Sequence, residues 1–219
     1  MLRECDINEI SDGKRYQAND LVKVGCNDCK GCHSCCEGME DTIVLDPYDI
    51  CRLTVNLRVD FQALMQGHIG HHVEEGLILP HLLMAEETGA CSFLNEEGRC
   101  SVHAHRPGIC RLFPLGRIYE DGGFSYFLQV NECVKENRTK EKVKNWISTP
   151  RLKEYEAFIL KWHNYTKEMQ AFLTGRDDAK DWNMLHLQMF YMMPYSSEDC
   201  FYEEFEVRLA EIKRRMSMS

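Results

Sequence analysis

Hydrophobic positions repeat with two different periods along the chain. From residue 146 on they recur every three or four positions. Leu152, Tyr155, Ile159, Trp162, Met169 and Leu173 form one stripe, broken only by Thr166. That spacing predicts one long amphipathic helix. Thr149-Pro150 supplies its start and Gly175 its stop. The stretch "WNMLHLQMFYMM" is apolar nearly all round, which predicts a buried helix. Ser196 with Asp199 reads as a capping box before a last helix, whose apolar face carries Phe201, Phe205, Leu209, Ile212 and Met216.

Before residue 146 the apolar runs are short and punctuated. "TIVL" (Thr42–Leu45) reads as a strand, and Asp46-Pro47 opens a helix through "YDICRLTVNL" with Asp46 as its cap. Asp60 caps a second short helix, "FQALMQ". "LILPHLLM" reads as a strand that Pro80 confines to an edge or a bulge. "CSFLNEEGRCSV" reads as a hairpin turning at Gly98, and "GRIYEDGGFSYFLQV" as another turning at Asp121-Gly122-Gly123. The charged connector "KENRTKEKVKN" marks a change of composition near residue 145. The expected fold class is therefore α+β: an irregular cysteine-rich part with short hairpins over residues 1–145, then a small helical bundle over 146–219 packed on it.

Charge narrows the partners. The formal net charge of the 219 residues is −9, which argues against general nucleic-acid binding and against an anionic membrane surface. The start "MLRECDINEISDGKRYQ" has no apolar leader segment, and no apolar run reaches the ~18 residues needed to span a bilayer. The expected location is cytoplasmic, where thiols stay reduced.

Twelve cysteines then become the main signal, and ten of them lie between Cys26 and Cys133. "CNDCKGCHSCC" holds five, Cys26, Cys29, Cys32, Cys35 and Cys36. Disulfides are the weaker explanation in a reducing compartment, so the density points to metal. A zinc knuckle pairs one Cys-x-x-Cys with a distant second pair. Here Cys26, Cys29, Cys32 and Cys36 match a ferredoxin-type spacing, although Glu37 stands where a proline would follow. Spacing thus favours an iron–sulfur centre, such as a [4Fe–4S] cluster, over zinc. Cys91, Cys100, Cys110 and Cys133 supply further thiols, enough for one large cluster or two four-ligand sites. Arg106 and Arg111 bracket Cys110, where a guanidinium can offset thiolate charge and donate hydrogen bonds to sulfur.

"CKGCHSCC", followed by "CSFL…GRCSVHAHRPGICRLFP" and Cys133, resembles the YkgJ-like cysteine-cluster family, a zinc- or iron-chelating CxxCxxCC domain also found in flagellin lysine-N-methylases. The resemblance runs from about Cys29 to Cys133. It implies that Cys29, Cys32, Cys35, Cys36, Cys91, Cys100, Cys110 and Cys133 are metal ligands. Cys26 is an extra thiol that either replaces one of them or stands by unligated. The resemblance also implies an S-adenosylmethionine-dependent protein lysine N-methylase, with flagellin as a protein partner. The chain is shorter than full flagellin methylases. Tyr119, Tyr126 and the acids near Glu120 carry no stronger signal as a catalytic base than other surface residues. A metal-stabilised interaction module and an iron–sulfur redox or electron-transfer protein are the alternative classes.

Other residues carry weaker signals. His68, His71 and His72 could make a second metal site, but ordinary polar surface explains them as well. His103 and His105 lie within the cysteine constellation, and His33 within the run. Cys51 reads as a buried thiol of the short helix, and Cys5 and Cys200 as plain thiols. No dinucleotide-binding or P-loop pattern is present in the sequence.

Overall fold

The computed structural model describes residues 7–27, 32–120 and 122–219. In chain order the elements are α1 (Ile7–Ile10), β1 (Leu21–Gly25), α2 (Pro47–Leu57), α3 (Phe61–Met65), β2 (Ile69–Glu74), β3 (Leu77–Leu82), α4 (Gly108–Leu112), β4 (Leu115–Glu120), β5 (Gly123–Leu128), β6 (Thr139–Lys142), α5 (Val143–Ile147), α6 (Leu152–Leu173), α7 (Ala179–Leu187) and α8 (Phe201–Met216). Among the described residues the strands form three separate two-stranded antiparallel sheets, β1–β6, β2–β3 and β4–β5. The fold class is α+β.

The local signals explain most of the helices. The Asp46 carboxylate accepts from the Asp49 N–H at 2.9 Å, and Asp49 accepts in return from the Asp46 N–H at 3.2 Å. This reciprocal box, with Pro47 in the first turn, starts α2. Asp60 caps α3 through the Ala63 N–H at 2.8 Å. The stripe on α6 faces the core and is wider than its periodicity suggests, because Phe158 and Tyr165 are buried too.

Two helices differ from expectation. The apolar run of α7 continues into a wider π turn, Gln188–Met192. Phe190 and Tyr191 are buried there, but Met184, Met192 and Met193 are exposed. The buried Arg208 of α8 closes this turn by donating to the carbonyls of Met189, Met193 and Pro194 at 3.0, 2.8 and 2.7 Å. It thereby satisfies acceptors that a helix end leaves open. α8 starts at Phe201 without the expected capping box. Ser197 accepts from the Cys200 N–H at 3.2 Å instead, while Glu204 reaches back to the Ser196 N–H.

The strands differ more. "TIVL" stays irregular apart from an isolated bridge, Val44 to His81, because the chain turns into α2 at Asp46. "GHIGHHVEEG" contains β2, which pairs with β3 in the register Ile69–Leu82 to Glu74–Leu77. Glu75 and Gly76 make the turn with positive φ of 49° and 81°, the combination a tight hairpin requires. β4 and β5 turn as predicted, pairing Glu120 with Gly123; Asp121 lies outside the described residues.

Two cores result. The larger joins α2, α3, β2–β3 and the loop through Phe93 and Val102 to helices α6, α7 and α8. The smaller gathers Val22, Val24, Leu112, Leu115, Tyr126, Leu128, Val143, Trp146 and Ile147. The composition boundary near residue 145 falls within α5, and the larger core draws on residues from both sides of it. No described helix is long and apolar enough to cross a membrane.

Candidate metal centre

Three chain segments deliver most of the cysteines to one region, and a fourth, after β5, supplies Cys133. The first is the run itself. Cys26 follows β1, and Cys35 and Cys36 end a tight turn, Ser34–Cys36, closed by the Cys36 N–H on the His33 carbonyl at 2.7 Å. Cys29 lies outside the described residues. The second segment is laid against the first by backbone hydrogen bonds. The Cys36 carbonyl accepts from the Cys91 N–H at 2.7 Å, and Gly38 donates to Gly89 at 2.8 Å. The expected hairpin after Cys91 is compact: Leu94 pairs with Cys100, and Gly98 turns it at φ +69°. A Cβ on Gly98 would lie 3.0 Å from the His33 ring, so the turn packs closely on the run.

The third segment carries Cys110 in α4. Its position is fixed by α2, since the Asp49 carboxylate accepts from the Gly108 N–H at 2.7 Å. Gly108 is required there, because a Cβ would lie 2.2 Å from the Tyr155 hydroxyl oxygen. Arg52 of α2 holds the loop between Cys100 and Cys110 by donating to the Ala104 carbonyl at 2.9 Å and to Glu198 at 3.1 Å. Asp49, Gly108, Arg52 and Tyr155 are supporting residues that the cysteine spacing does not reveal. The reciprocal pair Asp46–Asp49 could have been read as a capping box; its second bond, to Gly108, could not.

Backbone pairing sets Cys36 beside Cys91, and Cys91, Cys100 and Cys110 all pack against the larger core, so their thiols act on one another electrostatically. Cys36 feels Cys35, Cys91 and Cys110, and Cys110 feels Cys35, Cys91 and Cys100. Burial raises the thiols of Cys91, Cys100 and Cys110. The adjacent pair shares a hydrogen bond, which lowers Cys35 to about 7 and raises Cys36. One thiolate therefore forms readily in this pair and a second does not. The Phe93 N–H donates to Cys91 and the Val102 N–H to Cys100. Such N–H···S bonds stabilise thiolates.

Cys26, Cys32 and Cys133 are brought together around a separate space. With Cys35 they line a small cavity floored by Phe113, Pro114 and Trp146. Among the described residues, no group of three or more Cys, His, Asp or Glu side chains is already arranged to hold a metal ion. The donors nonetheless fit zinc or iron chemically: they are soft sulfur ligands, gathered in number and served by N–H donors.

The two arginines have different neighbours. Arg106 acts on Cys35 and Cys100 and contacts His103. Arg111 is buried beneath the Tyr155 ring, 5.8 Å from its centre, and acts on Asp46 and Asp49. Burial raises both of those carboxyls. His68 stacks on Phe93 at 4.1 Å, His71 and His72 belong to β2, His33 meets Glu37 at 3.0 Å, and His103 and His105 lie in a short turn between Cys100 and Cys110. Cys51 is buried in α2, its thiol pushed up to about 12 by burial, and Cys200 is exposed. Tyr126 donates to Glu156 at 2.8 Å and Tyr119 stacks on His163 at 3.6 Å.

No curated protein and no solved structure is recognisably similar to the chain. One protein family does match. Its description is "putative zinc- or iron-chelating domain", and it covers residues 28–146, from within the cysteine run through α4 and Cys133 to α5. The spacing Cys29, Cys32, Cys35, Cys36 within that stretch is the pattern that gives the family its name, and the chain belongs to the CxxCxxCC family of zinc- or iron-chelating domains.

Proposed function

We propose that the chain is a thiolate metalloprotein whose converging cysteines hold iron as an iron–sulfur cluster. The observation that carries this reading is the meeting of Cys35, Cys36, Cys91, Cys100 and Cys110, from three separate segments, beneath two N–H donors and Arg106. All five donors are sulfur, the ligand set of iron–sulfur clusters and of structural zinc. A set of thiolates brings net negative charge, and the Arg106 guanidinium with the N–H groups of Phe93 and Val102 offsets it. Iron is preferred to zinc on the ferredoxin-like spacing of Cys26, Cys29, Cys32 and Cys36, a set that the fold divides. Its first thiol, Cys26, lies with Cys32 and Cys133, whereas its last, Cys36, lies with Cys91 and Cys110.

The same site has a structural role. The cysteine-bearing segments hold few regular elements and meet mainly through backbone hydrogen bonds and short turns. Bound metal would tie the three segments together, and its binding free energy would then be folding free energy.

The test is anaerobic purification followed by visible spectroscopy and measurement of iron, zinc and sulfide per chain. The expected result is a coloured protein, bleached by reductant, with iron and acid-labile sulfide in similar amounts. Colourless protein with stoichiometric zinc would overturn the iron assignment. A folded protein that takes up neither metal would overturn the whole reading. The methylase activity implied by the resemblance has a separate assay, transfer of label from S-adenosylmethionine to flagellin.

A further inference from the structure

We propose that the chain binds metal at two thiolate sites, and that Cys26 is a ligand of the second, together with Cys32 and Cys133. The inference rests on the reading above and deepens it.

Two observations carry it independently. The first is the cavity. Cys26, Cys32, Cys35 and Cys133 bound one small space, with Glu132 at its edge. Its floor is rigid: the Trp146 indole N–H donates to the carbonyls of Leu112 and Phe113 at 3.3 and 3.1 Å. The second is the division of the cores. Cys91, Cys100 and Cys110 pack against the larger core, whereas Cys26 packs against the smaller one. Cys26 is thus held by a different part of the fold from Cys91, Cys100 and Cys110. Cys35 stands at the seam, lining the cavity while hydrogen-bonded to Cys36.

Counting donors gives the same answer. A tetrahedral zinc site and a [4Fe–4S] cluster each take four thiolates. Among the described residues, Cys36, Cys91, Cys100 and Cys110 supply four on one side, and Cys26, Cys32 and Cys133, with Cys35 shared between the groups, supply four on the other; Cys29 lies outside the described residues. Cys26 stands outside the residues that the family covers, yet it lines the same cavity as Cys32, Cys35 and Cys133. A short β1 delivers it. β1 pairs with β6, and its ladder slips between Lys23 and Gly25, just before Cys26.

The test uses the full chain, reduced and stripped of metal, then titrated with Zn²⁺. At each point thiols are alkylated and located by mass spectrometry. Expected are about two zinc ions per chain and two protection patterns. Cys91, Cys100 and Cys110 should be shielded together, and Cys26, Cys32 and Cys133 together at a different zinc ratio. Cys26→Ser and Cys133→Ser should each lose about half of the bound zinc and keep the shielding of Cys91 and Cys110. Circular dichroism checks that the variants remain folded, and the wild-type footprint decides the matter if they do not. Cys26 reacting freely in zinc-saturated protein would overturn the inference while leaving metal binding intact, as would shielding of all thiols in a single step. Zinc that shields no cysteine would overturn the underlying reading as well.

Discussion

Gly108→Ala is the sharpest test of how Cys110 is positioned. A methyl group at this position would lie 2.2 Å from the Tyr155 hydroxyl oxygen, but 3.4 Å from the ring carbon that bears it. The first distance is a hard overlap and the second an ordinary contact. Overlap of this kind in a packed interior costs about 1–3 kcal/mol. Relief by moving α4 would stretch the 2.7 Å bond from the Gly108 N–H to the Asp49 carboxylate, an interaction worth about 1.5–3 kcal/mol. Gly108→Ala should therefore destabilise the protein by about 3 kcal/mol.

The hydroxyl is the obstacle, so removing it should relieve most of the cost. Tyr155→Phe alone loses the 3.3 Å bond donated by Arg117, about 1–2 kcal/mol. Adding Gly108→Ala to Tyr155→Phe should then cost less than about 1 kcal/mol, giving a coupling of about 2 kcal/mol between the two positions. Urea denaturation of the four proteins measures the cycle, and alkylation of Cys110 reports whether α4 has moved. Gly108→Ala should expose that thiol and the double variant should shield it again. Additive costs, or an unchanged Cys110 in Gly108→Ala, would refute the claim that the Tyr155 hydroxyl sets the distance between α4 and α6.

Other outcomes follow from separate features. Arg208 serves three carbonyls at the end of the π turn, so Arg208→Met should cost about 3 kcal/mol in urea denaturation. Arg208→Lys should not restore it, because an ammonium lacks the planar fork; full rescue by lysine would count against the geometry. His186 is buried, and burial lowers its pKa from 6.5 to about 3. Its neutral form is favoured in the folded state, so its contribution is fully present above about pH 6.5 and is lost as pH falls towards 3. The slope is up to about 1.4 kcal/mol per pH unit. His186→Gln should flatten the wild-type loss of stability by that amount, and parallel profiles would refute the assignment. Burial holds the thiols of Cys91, Cys100 and Cys110 protonated, so metal must displace those protons. Zinc affinity, measured by competition with a chelator, should rise at least about tenfold per pH unit between pH 6.5 and 7.5. A flat dependence would exclude these thiols as ligands.

Elements whose residues choose one face of a helix were legible in the sequence. Leu152, Tyr155, Ile159, Trp162, Met169 and Leu173 mark α6 because one stripe meets the core along its whole length. The strands were harder for a physical reason. β6, "TKEK", contains no fully buried residue, so its sequence shows no alternation, and its partner β1 lies more than a hundred residues away. β2 was obscured because Val73 points to solvent while His72 lies against His81. Burial there depends on a partner strand that carries a proline, and local periodicity cannot supply it.

At the candidate site the sequence carried donor chemistry and left the grouping open. Cys35 and Cys36 are neighbours, so spacing treats them as one unit. In the fold, the Cys36 carbonyl is tied to the Cys91 N–H, which draws Cys36 to the larger core. Cys35 stays at the edge of the cavity that Cys26 and Cys133 share. A count of intervening residues cannot express that split, because it arises from a backbone hydrogen bond to a segment more than fifty positions away. The same logic separates Arg106 from Arg111. Both flank Cys110 in sequence, but α4 turns Arg111 inward to Tyr155, Asp46 and Asp49. Arg106, in the loop before α4, keeps its charge beside Cys35 and Cys100. The helix thus places one guanidinium against thiols and the other against buried carboxyls. Arg106→Gln should therefore alter the thiols' reactivity, whereas Arg111→Gln should act on stability through Asp46 and Asp49. Rates of alkylation at Cys35 for the two variants, set against their urea midpoints, measure that division, and equal effects of both on Cys35 would contradict it.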